Sequence, residues 1–543
     1  MNTVSEPLLG GSALARDYIE HFEKVAHLYG GDFRLPESRV RRAAWLDDNE
    51  TKRAARAGVV SVLRAYNLQH NPHPKVMEML ERLEQPGTLA VTGGQQSGLF
   101  TGPLFVIYKA ITVIQAARTA SEQLGRPVVP VFWIAGEDHD WDEVNHTFVL
   151  GRSGEIARIK LDKPEGPRNS VSGIGLALES WETAFGQVDS LLQDSEFKPQ
   201  IMELLRESAQ EGGSLTDAFA KLMGHLFGQY GLILLDSADP QLRKLEAPFF
   251  ARLIQENDEL EAAYLASAEE IKAGGYELQA EVTKDAANLF YIHEGMRLLL
   301  HKEAGRFTDR KGNISFSREE LLGQLEAHPE RFSNNVLTRP LMQDYVLPVL
   351  ATVLGQGEIA YWAIPNRAFA AAGGQMPLLL PRMSFTVIEG TTQKHMEKYM
   401  LTFQDVVKGL EGKRKEWLAA QDALGLESRF AEIKQAFTAM YEPLIEQLGN
   451  IQAGLLKLGG SNKEKILDQI AFLQGKAEDA LAKQNEAGLR QWERIEQSIM
   501  PHGRLQERHY NVMNYLNRYG LGWIDECMAL EPNFSGQHRL LYM

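Results

Sequence analysis

Between Thr88 and Asp140 the chain reads as a strand, a glycine-rich turn, a long crossover helix and a second strand. A chain holding such a unit is committed to a parallel sheet covered by helices. The first apolar run is TLAVT (Thr88 to Thr92), followed by GGQQSGLFTG (Gly93 to Gly102). A helical pattern opens at Pro103, PLFVIYKAITVIQAARTASEQL, and is apolar nearly all round, as expected of a helix held between a sheet and a further layer. The second run, VVPVFWI (Val128 to Ile134), is closed by GEDHD (Gly136 to Asp140). Strand ends of this kind line the ligand crevice of an α/β sheet, so the pattern predicts a small-molecule site.

At 543 residues the chain exceeds one core and divides into several units. Residues 1–87 read as a helical segment packed on the core, 88–150 as the first part of a Rossmann-like core and 151–225 as a connecting insertion. Residues 226–390 read as the rest of the core with a second small insertion, marked by the strand candidate GLILLDSADP (Gly231 to Pro240). Alternation in NLFYIHEGMRLLLHKEAGRFTD predicts an antiparallel ribbon turning near Glu294-Gly295. GEIAYW (Gly357 to Trp362) is strand-like, and Met376 to Glu389 reads as a final sheet strand.

From Thr391 the texture becomes helical to about Gly520, with 521–543 as a tail. Phe430, Ile433, Phe437, Met440, Leu444, Leu448, Ile451, Leu455 and Leu458 recur at threes and fours. Gly459-Gly460-Ser461 reads as a turn, and Ile466 to Ile499 as the return leg of an antiparallel hairpin with coiled-coil spacing. Each leg of some thirty residues would reach roughly 45 Å at ~1.5 Å per residue; such an arm dimerises or packs on its own domain, and a homodimer through it is the expectation.

The net charge of -15 and the lack of a basic stripe argue against nucleic acid. The single cysteine, Cys527, permits neither an intrachain disulfide nor a Cys-based zinc site, so no zinc is expected. No apolar run approaches a bilayer span, and the N-terminal residues lack a signal-peptide pattern, which reads as a cytoplasmic protein without a membrane partner.

Three clusters carry chemistry. In the glycine-rich stretch, Gly93, Gly94, Gly98 and Gly102 admit close backbone approach at a helix N-terminus, while Gln95, Gln96, Ser97 and Thr101 add neutral hydrogen-bonding groups. It lacks the GK[ST] of a Walker loop and the spacing of GxGxxG. In GEDHD, the carboxylates of Glu137, Asp138 and Asp140 suit a divalent ion, an ammonium or sugar hydroxyls, and His139 suits a general base. The bland alternative is a solvated acidic helix start. Asn335 and Arg339 in SNNVLTRP, with Glu358 and Tyr361 in GEIAYW, are candidate binding groups. Arg382, inside the apolar LLLPRMS, needs a partner for its charge. The residues themselves leave open a metal-dependent hydrolase or sugar-modifying enzyme using GEDHD as ligands, and a non-catalytic dimeric scaffold.

GGQQSGLFTGP, FWIAGEDHDWDEVN, HPERFSNNVLTRPLMQD and GEIAYW, in this order, resemble the BshC family, the cysteine-adding enzymes of bacillithiol biosynthesis. The resemblance runs over most of the chain and includes the helical arm. It implies attachment of cysteine to the amine of glucosaminyl malate. It also implies a core related to class I aminoacyl-tRNA synthetases, with connecting insertions and a dimerising coiled coil. ATP or ADP is the expected nucleotide, with a place for Mg. Neither HIGH nor KMSKS is present; GGQQSGLFTG stands where HIGH would be. On this reading His139, Asp138 and Asp140 are catalytic, and the glycine turn holds phosphate or carboxylate. The GEDHD acids hold sugar hydroxyls or the glucosamine ammonium, and Arg339 or Arg382 neutralises a carboxylate of malate or a phosphate.

Overall fold

The computed structural model describes residues 2–7, 10–166 and 169–543. Its centre is a sheet of five parallel strands: β1 (Leu89–Gln95), β2 (Val128–Ile134), β3 (Ile233–Asp236), β4 (Val349–Leu354) and β5 (Leu378–Pro381). The spatial order is β5-β4-β1-β2-β3, all neighbours parallel. Every residue of β2 and β4 is buried, which is why these strands read as unbroken apolar runs rather than as alternation. The crossover helix α1 (Leu104–Leu124) buries most of its surface and ends at the left-handed Gly125. A short helix, α2 (Gln356–Trp362), follows β4.

The glycines of the first motif belong to the strand rather than to the turn. Gly93 and Gly94 pair with Phe132 and Trp133 of β2. A Cβ on Gly93 would lie 2.5 Å from the Val113 side chain of α1, and one on Gly94 would lie 2.5 Å from the Trp133 carbonyl. Gly93 is a glycine because the helix approaches the sheet closely there, and Gly94 because the neighbouring strand does.

The ribbon of Ala286–His293 and Met296–Glu303 turns at Glu294 and Gly295, both at positive φ, as the alternation predicts. It forms the middle of a five-stranded sheet that also holds Phe332–Asn334. His146–Leu150 pairs antiparallel with Ile156–Lys160.

Contacts divide the chain into two units: Met1–Thr386 with Glu507–Leu541, and Val387–Gln506 with Tyr542–Met543. The stretch from Glu507 to Gly520, expected in the arm, therefore belongs to the first unit. In the second unit Leu426–Ile451 and Ala453–Gln484 form an antiparallel hairpin. Its break is at Gln452, in extended backbone, and not at Gly459-Gly460-Ser461, which lie inside the return helix. Gly459 faces Ile445, where a Cβ would come within 2.9 Å, so this glycine serves helix contact rather than reversal.

Two other expectations are corrected. GEIAYW is helical, because Gly355 starts α2 and the Glu358 side chain accepts its N–H at 2.7 Å; a short apolar run does not distinguish strand from helix. The run from Met376 to Glu389 is two strands, β5 and Ser384–Ile388, in different sheets. The chain leaves the parallel sheet at Arg382.

Candidate functional site

The strand order reverses direction of growth between β1 and β4, the topological switch point where open α/β sheets place ligands. A cavity of about 510 Å³ opens there. The end of β1 supplies Gly94, Gln95 and Gln96; the segment after β2 supplies Glu137, Asp138 and His139. The ribbon adds Phe290 and Arg297, and Asn334, Asn335 and Arg339 close another side, with Glu358 and Tyr361 from α2.

Most of the acids are committed. Glu137 is buried and bound to Arg243, and also accepts the Asn334 N–H at 3.3 Å. Arg243 also holds Glu246 at 2.5 Å, and burial pushes Glu246 up to about 7 despite that cation. Glu358 accepts from the buried Lys109 at 2.7 Å. Burial alone would raise Glu358, but Lys109 and the Gly355 N–H outweigh it and hold the carboxyl below its ordinary range. Lys109 donates in addition to the Gly94 carbonyl at 2.8 Å and to Gln95 Oε1 at 3.0 Å, fixing the end of β1. Asp138 receives Gln96 Nε2 at 2.6 Å and the His139 N–H at 2.7 Å. Burial works against its ionisation, but the Gln96 amide, the Arg297 charge and the His139 N–H keep it below the usual carboxylate range.

The cations differ. Arg339 donates to the Tyr361 hydroxyl at 2.6 Å and stays charged, because Tyr361, Glu358 and Glu137 together outweigh the burial that opposes it. Arg297 lies 3.7 Å above the Phe290 ring and donates to Ser333 Oγ at 2.9 Å, the Asn334 carbonyl at 2.7 Å and His139 Nδ1 at 3.1 Å. The cavity thus offers a fork-shaped cation beside a carboxylate and an imidazole, a set that suits a ligand bearing both carboxylates and hydroxyls.

Several expected site residues lie elsewhere. Ser97 is buried against Thr216, 2.8 Å between hydroxyls. Gly98 packs on Gly102, and Thr101 is buried at positive φ in a 3-10 turn. The start of α1 is closed by the C-terminal chain: Leu104 N–H donates to the Tyr510 carbonyl at 2.8 Å, and Asn511 Nδ2 holds the carbonyls of Phe100 and Gly102. None of Gly93, Ser97, Gly98, Thr101 or Gly102 lines the cavity. Asp140 sits at the start of the short helix Trp141–Val144, where its carbonyl accepts the Glu143 N–H, and is not in the lining either. Arg382 does have the partner its setting requires, a two-pronged pair with the buried Glu507 at 2.7 and 2.9 Å, and is not in the cavity lining. Asn335 lines the cavity with its side chain turned to Asn288 and to the N–H groups of Leu337 and Thr338.

Sequence reasoning did not name Lys109, Arg243, Glu246 or Arg297. Lys109 carried a signal, a single charge inside an apolar helix, the same argument that singles out Arg382. Arg297 carried none, since a cation on a ribbon is ordinary.

Residues 1–383 match the model described as "Bacillithiol biosynthesis BshC, N-terminal Rossmann-like domain", and residues 385–543 match "Bacillithiol biosynthesis BshC, C-terminal coiled-coil domain". A relative from Geobacillus kaustophilus, named "Putative cysteine ligase BshC", is 36% identical over 540 residues, covering 99% of both chains. One of the same name from Symbiobacterium thermophilum is 37% identical over 550 residues, covering 98% of both. The chain belongs to the BshC family. Its two family domains meet near residue 384, close to the boundary between the two units. A Campylobacter jejuni chain described as an arginyl tRNA synthetase aligns over 78% of this chain and 93% of its own, at 10% identity and a TM-score of 0.20, too distant to bear on the BshC fold.

Proposed function

We propose that this BshC-family chain is a cysteine ligase of bacillithiol biosynthesis, and that it joins cysteine to the amino group of glucosaminyl malate in the cavity at the β1–β4 switch point. Full-length similarity to relatives named as cysteine ligases supports the reaction class. The observation that carries the site is Arg339, a charged fork in the cavity whose guanidinium donates to the Tyr361 hydroxyl rather than to a carboxylate. It is suited to a carboxylate of malate. Asp138 and Gln96 are suited to the sugar hydroxyls, and His139 is the group placed to handle a proton.

In the reaction the amine nitrogen attacks the carboxyl-derived carbon of cysteine, a C–N bond forms and the activating group leaves with its electron pair. Nucleotide dependence belongs to the same proposal. ATP or ADP would find the cations Arg297 and Arg339 in the cavity, and would activate the carboxyl of cysteine. Mg would serve as counter-ion to its phosphates. The closed start of α1 does not favour the glycine turn as the phosphate cradle. Among the described residues no three His, Cys, Asp or Glu side chains gather to hold a metal, so no observation favours the hydrolase reading.

The test is mass spectrometry of the protein incubated with cysteine and glucosaminyl malate, with and without ATP and Mg. A product heavier by one cysteinyl residue is expected only with ATP. Product in both mixtures overturns nucleotide dependence, and no product in either overturns the ligase reading.

A homodimer through the arm and a cytoplasmic location complete the proposal. Met440, Ile451, Leu458, Phe472 and Leu473 are all at least 60% exposed on the hairpin, an apolar surface that invites a partner. Among the described residues no helix is long and apolar enough to cross a membrane. Sedimentation of Phe472→Glu with Leu473→Glu is expected to give a monomer where the parent gives a dimer.

A further inference from the structure

We propose that Arg297 is a positioning residue that holds the imidazole of His139 neutral, with its one ring proton on Nε2. Arg297 Nη1 lies 3.1 Å from His139 Nδ1. A guanidinium has only N–H donors and keeps its proton throughout the working range of proteins, so Nδ1 must accept and therefore carries a lone pair. A neutral ring with a lone pair on Nδ1 has its proton on Nε2.

Arg297 is not free to swing away. Its Nε donates to Ser333 Oγ, its Nη2 to the Asn334 carbonyl, and its plane lies over Phe290, while its side chain is only 6% exposed. The three anchors come from the ribbon and from the strand paired with it, so the ribbon sets the state of a group on the far side of the cavity.

Among the charged groups near the ring, Asp138 and Arg297 act in opposite directions. Asp138 Oδ1 lies 3.6 Å from Nδ1, beyond hydrogen-bond reach, and that oxygen already accepts the His139 N–H while its twin accepts Gln96. Glu137 is tied to Arg243. Asp138 favours the imidazolium and Arg297 opposes it; the nearer group holds the lone pair. To take a second proton the ring must first give up Arg297. His139 is thereby a poorer proton acceptor near neutrality than an ordinary histidine, which changes the role expected of it from the sequence.

The inference rests on the ligase reading only for its kinetic readout. The direct test is ¹⁵N NMR of the full chain labelled at histidine, with the His139 signals assigned by their loss in His139→Gln. The expected result is the Nε2–H tautomer, titrating below the ordinary histidine value of about 6.5. In Arg297→Met the midpoint is expected to rise by on the order of one pH unit, because the cation that opposes protonation is gone. Arg297→Lys keeps a charge without the fork and is expected to fall between the two. A native midpoint at or above about 6.5, an Nδ1–H tautomer, or an unchanged midpoint in Arg297→Met would each overturn the proposal. The native-chain measurement decides even where the variant fails to fold. If the chain is a ligase, the acid limb of its kcat–pH profile moves with the NMR midpoint in Arg297→Met. A chain with the expected tautomer and no ligation would overturn the functional reading and leave this one standing.

Discussion

The two ends of the parallel sheet are both rich in arginine, and the partners of those arginines separate architecture from site. At the N-terminal ends of the strands the partners are fixed. Arg42 holds the Val349 carbonyl at 2.9 Å, the Gln375 carbonyl at 2.7 Å and the buried Asp344. Arg53 reaches the Leu347 carbonyl, Arg56 the Leu83 and Thr88 carbonyls, and Arg126 the Gly87 carbonyl. Carbonyls that enter a sheet lack ladder partners, and these guanidinium groups satisfy them. At the C-terminal ends Arg339 has a softer partner, the Tyr361 hydroxyl, for which a bound anion can compete, and Arg297, though anchored on Ser333 Oγ and the Asn334 carbonyl, keeps one arm on an imidazole nitrogen.

Breaking the first end should show the largest effect. Arg42→Ala leaves Asp344 with only Arg53, 3.5 Å away, and is expected to cost about 3–5 kcal/mol in urea unfolding, with no selective change in KM. A comparable KM effect from Arg42→Ala would erase the distinction.

A pH series sharpens it next, through Asp236 at the end of β3. Burial pushes this carboxyl up to about 7, despite hydrogen bonds from Ala238 N–H and Ser172, with no cation among its causes. A raised acid binds its proton in the fold after the unfolded chain has released it. Stability therefore falls as pH rises from about 4 to about 7, by at most ~1.4 kcal/mol per pH unit, and then levels. Asp236→Asn is expected to flatten that slope; a slope surviving the substitution assigns it to another group.

At the functional end, Arg339→Gln should leave thermal unfolding nearly unchanged. It should raise KM for glucosaminyl malate by about 10–100-fold, the worth of a charge-assisted hydrogen bond of ~1.5–3 kcal/mol. Loss of fold without a change in KM would move Arg339 to the architectural class. The smallest effect belongs to the arm: Gly459→Val drives a side chain into Ile445 and should destabilise the hairpin by about 1–3 kcal/mol, seen as an earlier loss of helical signal.

The βαβ unit, the ribbon turn at Glu294-Gly295 and the hairpin were legible because each has its own period or its own turn residues. Glu137, Asp138 and His139 of GEDHD were legible as groups at the crevice because they stand just past an apolar strand, and they line the cavity. The decapeptide was legible only in part. Gly94, Gln95 and Gln96 reach the cavity, whereas Ser97 to Gly102 are consumed by packing against Thr216 and the segment at Tyr510 and Asn511, more than 400 residues away in sequence.

The sequence by itself determined the βαβ unit, the ribbon, the helical arm and the family, since periodicity, turn chemistry and long ordered motifs are local properties of a chain. It also determined that Arg382 must have a partner, since a charge in an apolar run demands one. Only the tertiary structure decided that the partner is Glu507, that α1 opens on Tyr510 instead of a ligand, that the hairpin reverses at Gln452, and that Arg297 meets His139. Those are choices among distant groups, made by which surfaces pack and which donors reach which acceptors. No local pattern carries that information.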